Sequence, residues 1–124
     1  MRRLTLILLV LIVPAVLSAQ TATPICPGVQ MTQFYRSLGD QALTVSTNVV
    51  MPTIPVGAVF AVIDVQTADL RLRDDGGTVT ASNGQLWRQD SHPVACGRSL
   101  SQLQLIRDTA ATANSLAYFS YYGP

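Results

Sequence analysis

The sequence predicts a small antiparallel β-sandwich forming a single all-β domain, on three observations. Lys and Glu are absent: every basic residue is Arg and every acidic one Asp. Two strong helix formers are therefore missing from a chain rich in Thr, Val and Ser. Short apolar-alternating runs recur between Gly, Pro and Asp turn signals, the pattern of strands packed in two layers. Finally, a single domain's worth of chain remains once the N-terminal segment is set aside.

That segment reads as a secretory signal over residues 1–19. Arg2 and Arg3 precede the apolar run LTLILLVLIV, and Pro14 leads to the small residues of VLSA, the n-, h- and c-regions of an export signal. The run is short of the roughly 20 residues that span a bilayer, and cleavage is expected after Ala19. Without Arg2 and Arg3 the chain holds 6 Arg against 7 Asp, a net charge near −1. No basic footprint for nucleic acid or an anionic membrane remains. Cys26 and Cys96 are the only cysteines. In an exported domain they are expected to pair, whereas in a reducing compartment they would be free thiols. Two cysteines and one distant histidine do not make a zinc site.

Residues 20–41 read as an extended lead-in and 42–124 as the sandwich. Within the lead-in, TATPICPGV has two prolines and a glycine, and MTQFYRSLG suits either a strand or a helical turn. ALTVSTNVV is β-branched and stops at Pro52 and Pro55. After a turn at Pro55-Val56-Gly57, AVFAVIDV puts Val59, Ala61, Ile63 and Val65 on one face and Phe60 and Val62 on the other. Leu70 and Leu72 alternate with Arg71 and Arg73, so the leucines should face the core and the arginines solvent. QLWRQ is a short strand with Leu86 and Trp87 on opposite faces, and a polar turn at Arg98–Ser101 leads to LQLIRD. In SLAYFSYY, Leu116, Tyr118 and Tyr122 oppose Ala117, Phe119 and Tyr121.

The stretch TVSTNVV…IPVGAVFAVIDVQTADLRLRDDGGTVTAS, with LSQLQLIRD and a terminal LAYFSYY, resembles a group of small β-sandwich proteins of tailed phages and prophages. Their marks are an "(V/I)RYRDDGTAPTAS-G" hairpin, a "DLSAIRFI" strand and a final strand ending in "SYY". The likeness covers about Ala42 to Tyr122; Val79 stands where the group usually has proline, and Gly77 where threonine is common. The resemblance implies a virion-associated sandwich of unassigned biochemical role. Its hairpin also bears a fainter similarity to sandwich modules attached to secreted glycoside hydrolases.

Asp74, Asp75, Gly76 and Gly77 form the most charged corner of the chain. Paired carboxylates can bind calcium or act as acid and base, but adjacent side chains on an extended chain point apart. No Glu exists to close an EF-hand loop. A turn is the expectation, with Asp bonding the backbone and Gly supplying positive φ. Arg71 and Arg73 could grip an anion or pair with Asp69 or a cross-strand Asp. His92 lies beside Ser91 and Asp90, but sequence neighbours rarely adopt triad geometry and no G-x-S-x-G elbow is present. Arg71, Arg73, Trp87 and Tyr121 are the candidate surface contacts, although aromatics on sandwich strands also suit the core. The expectation is a non-enzymatic protein without cofactor, acting on protein partners or its own copies in the virion. The alternative is an exported bacterial surface or carbohydrate-binding module.

Overall fold

In the computed structural model Cys26 and residues 34–124 are described, so the signal segment and most of the lead-in lie outside the described residues. Among the described residues, seven strands and one short helix follow in the order β1 (Arg36–Val45), β2 (Phe60–Gln66), β3 (Leu70–Arg73), β4 (Gln85–Trp87), β5 (Val94–Cys96), α1 (Gly97–Ser101), β6 (Gln104–Arg107) and β7 (Ser115–Gly123). They form two antiparallel sheets, β1-β7-β2-β5 and β4-β3-β6. The predicted all-β sandwich is the observed fold.

The pairings are nested. β3 pairs with β4, β2 with β5, and β1 with β7, while Val50, between β1 and β2, bridges Leu105 of β6. The chain is thus one long antiparallel hairpin folded over itself into two layers. With the Val50 bridge as a rudimentary strand, the second sheet reads Val50-β6-β3-β4. Together with β1-β7-β2-β5 this is the strand order of a jelly roll, an architecture shared by capsid and lectin domains.

Alternation in the sequence sets which side chains are buried. Ala61, Ile63 and Val65 of β2, Leu70 and Leu72 of β3, and Ala117, Phe119 and Tyr121 of β7 meet in the core, each large side chain contributing about 1.5–3 kcal/mol of burial. The Tyr121 hydroxyl donates to Gln41 Oε1 at 3.0 Å, and the same oxygen accepts the Thr53 amide at 2.9 Å. A buried donor is thereby satisfied, and burial pushes the Tyr121 phenol up to about 12. The Pro55–Gly57 turn closes as expected, Ala58 N–H donating to the Pro55 carbonyl at 3.1 Å.

Three boundaries differ from the sequence reading. The first strand starts at Arg36 rather than near Ala42, because β7 is long enough to pair back to Gly123. The polar turn at Arg98–Ser101 is the helical turn α1, which buries Leu100 against the core. Between β3 and β4 there is no tight hairpin but a loop over residues 74–84. Cys26 and Cys96 form the expected disulfide, with Cα atoms 5.7 Å apart. Among the described residues no helix is long and apolar enough to cross a membrane.

Candidate functional site

The loop 74–84 is the tip of the folded hairpin. Asp75 accepts the Gly77 amide at 3.0 Å, and Arg73 clasps the same carboxylate through Nε and Nη2 at 2.9 and 2.5 Å. The Arg73 bonds, then the Gly77 amide, hold the Asp75 carboxyl far below its ordinary range. Gly76 supplies the positive φ of the corner, at 80°. Asp74, Asp75, Gly76 and Gly77 therefore form the turn that side-chain-to-backbone bonding predicts. Among the described residues no group of three or more His, Cys, Asp or Glu could hold a metal ion.

Past this corner the loop lies along the outer face of the β4-β3-β6 sheet. Val79 is buried, the Ala81 carbonyl accepts the Thr109 amide at 3.1 Å, and Ile106, which faces outward beside Arg71 by register, is buried as well. Gly84 ends the loop with φ 97°, and a Cβ there would come within 2.6 Å of the Leu72 carbonyl oxygen. Gly84→Ala is therefore expected to lower stability by about 1–2 kcal/mol, read as a shift in the urea midpoint at constant slope.

Arg71 does not face open solvent. Its Nε donates to Asp108 and its Nη1 to the Gly84 carbonyl at 3.2 Å. Asp108 is only 5% exposed and also accepts the Ala110 amide at 2.9 Å. That amide first, and Arg71 second, hold its carboxyl below the usual range, against the opposing effect of burial. The pair ties the tip loop to the β6–β7 connection. Arg71 is thus on the outward face, as expected, but instead of lying in open solvent it pairs with Asp108 rather than Asp69, and burial of that carboxylate favours a cation beside it.

His92 Nδ1 lies 3.2 Å from Asp64 Oδ1, which itself neighbours Gln66. The partner is not Asp90, whose backbone sits at φ 63°. The Ser91 hydroxyl donates to the Arg88 carbonyl at 2.6 Å, and Cys96 is oxidised. A histidine and a carboxylate are thus brought together, while the two nucleophiles nearest in sequence, Ser91 and Cys96, are engaged elsewhere.

Trp87 and Tyr121, read as candidate surface contacts, are instead core residues at 9% and 1% exposure. Each stands at an inward position of its strand, so their rings pack between the sheets. The aromatic surface lies on the opposite face of the four-stranded sheet. There Phe60 stacks on Tyr122 with centroids 5.0 Å apart, Tyr35 meets Phe60 edge-on at 5.3 Å, and Tyr118 is exposed.

One feature had no sequence signal. An open cleft of about 260 Å³ lies at the end of the sandwich, lined by Thr67, Ala68, Asp69, Gln89 and residues 110–113. Its rim is a γ-turn, with Thr67 at φ 76° and Ala68 N–H donating to the Gln66 carbonyl at 2.9 Å. This conformation is strained for a β-branched residue. Asp69 accepts the Gln89 amide at 2.8 Å and lies 3.9 Å from Arg88. Two threonine hydroxyls, the Gln89 amide, one carboxylate and small alanines line this open recess. No known protein family, curated protein or solved structure matches this chain.

Proposed function

We propose that this protein is a non-enzymatic structural or accessory component of phage or prophage origin, exported and working through surface contacts with protein partners or its own copies. The observation that carries the reading is the apolar end of the four-stranded sheet. Phe34 is 98% exposed and Val56 fully so, and both flank Gly123: Arg36 pairs with Gly123, and the Gly57 carbonyl packs against it. Exposed apolar side chains gathered at one end mark interaction surfaces. Elsewhere on the molecule charges are spent on one another, in the pairs Arg71–Asp108, Arg73–Asp75 and His92–Asp64. The jelly-roll order and the hairpin resemblance support the phage assignment by analogy. The disulfide is compatible with an oxidising compartment.

A second reading, an exported surface or carbohydrate-binding module, draws on the cleft at Thr67 and Asp69, whose hydroxyl and carboxylate lining suits a neutral polyol. One experiment separates the two. Mass spectrometry of purified particles from the source strain is expected to find the chain, beginning at Gln20 after signal removal. Its absence from particles, with retarded migration in a polysaccharide affinity gel, would replace the first reading by the second.

A further inference from the structure

Among the described residues β1 is the longest edge strand of the sandwich. It spans ten residues on the rim of its sheet, against three each for the edge strands β4 and β5. The hydrogen bonds show which of its backbone groups are unused. Ile63 and Val65 donate to the Pro93 and Ser91 carbonyls, towards β5. Ile63 is opposite Phe119, and Phe119 is opposite Gln41. Alternation of the antiparallel ladder therefore turns Phe119 and Gln41 towards each other and turns Asp40, Ala42 and Thr44 outward. Continuing the same alternation, Ser46 accepts the Arg107 amide on the outward side. No bond to the main-chain N–H or C=O of Asp40, Ala42 or Thr44 occurs among the described residues on that side, and all three are exposed.

Of the devices that normally protect such an edge, this stretch carries a single charge, Asp40. β1 contains no Pro, and the chain has no Lys. The one irregularity, the register shift between Ser37 and Gly39, precedes it.

We infer that this edge pairs with the same edge of a second copy, antiparallel about a two-fold axis at Ala42, making one continuous sheet across two protomers. This deepens the surface-contact reading above and rests on it for its biological role, not for its geometry. The stretch is self-complementary. With Ala42 opposite Ala42 of the second copy, Asp40 falls opposite Thr44 and Thr44 opposite Asp40, so each outward amide meets an outward carbonyl. The Thr44 hydroxyl can donate to the Asp40 carboxylate across the strands, and alanine leaves room at the axis. The pairing is isologous and closes at two copies. β5, at the other rim of the sheet, has only Val94–Cys96 and offers no comparable edge to extend it.

Sedimentation velocity on the oxidised protein over a concentration series tests this. The expected result is a species of twice the chain's mass, with the Asp40, Ala42 and Thr44 amides exchanging slowly in it and rapidly on dilution. Ala42→Pro removes an outward amide while leaving every bond to β7 intact, and is expected to give a folded single chain; Ala42→Ser should remain dimeric. A chain of single mass throughout, or a dimer whose Asp40, Ala42 and Thr44 amides exchange freely, would overturn the pairing. A single chain nevertheless found in purified particles would overturn it while leaving the function proposed above standing.

Discussion

Replacing Cys26 and Cys96 together by serine is expected to lower the free energy of unfolding by about 4 kcal/mol. The two residues are 70 apart in sequence, and cross-linking a loop of that length removes roughly this much conformational entropy from the unfolded chain. A domain of this size has about 5–15 kcal/mol in total, so the variant would stand close to its unfolding threshold. Cys96 ends the three-residue strand β5, opposite Phe60 on the outward face, and Cys26 is fully buried. The bond fixes Cys26 to Cys96, the cross-strand neighbour of Phe60, whose ring meets Tyr122 and Tyr35. Urea denaturation of the oxidised protein and of the double variant, analysed at a common slope, measures the difference. A loss below about 1 kcal/mol would show that the unfolded chain is already compact enough to gain nothing from the cross-link.

Asp108→Ala is expected to cost about 2–3 kcal/mol, because it strands Arg71 in a largely covered position and leaves the Ala110 amide without its acceptor. The effect depends on pH. The folded carboxyl lies below its unfolded value. Its contribution is therefore complete above about pH 4, the ordinary aspartate value, and is lost as pH falls through the folded value. The stability gap between the wild type and Asp108→Asn should accordingly be widest near neutrality and narrow in acid. Denaturation midpoints measured across that range check the sign. A gap that widens in acid would contradict the assignment. Replacing both partners, as in Arg71→Met with Asp108→Leu, should recover part of the loss, since no charge is then left covered. By contrast, Arg73 and Asp75 pair in open solvent, where an ion pair is worth little, and Arg73→Ala should leave the midpoint where it was.

The stretch from Arg71 to Gly84 shows how far the sequence could be read. Strict alternation made Leu70 and Leu72 inward, and both are buried. The Asp-Gly corner formed as turn chemistry requires. The loop that follows was not legible, since nothing local says that Val79 will be buried and that Ala81 will bond Thr109. Those contacts bring the chain back over the sheet and depend on residues some thirty positions further on. The same holds for Arg71. Its outward position was read correctly, but its partner Asp108 is 37 residues away.

Trp87 and Tyr121 make the complementary case. The alternation of β7 put Tyr121 with Ala117 and Phe119, and that whole face is core. Which of two alternating faces turns inward cannot be decided when both carry aromatics, as in β7, where Tyr118 and Tyr122 oppose Phe119 and Tyr121. The second sheet decides it. The cleft at Thr67 is further out of reach, because its rim needs a positive φ at a residue that no turn rule would place there.

By itself, then, the sequence determined the all-β class, the alternation within β2, β3 and β7, the Pro55–Gly57 and Asp75–Gly77 corners, and the only cysteine pairing the chain permits. Each follows from local chemistry: period-two burial, backbone φ, and a count of two. Tertiary structure alone decided the jelly-roll order, the Arg71–Asp108 tie, the buried flap over Ile106 and the open edge at Asp40, Ala42 and Thr44. Those features arise between segments far apart in the chain, where the pairing of strands, not the preference of any residue, sets which groups are matched and which are left over.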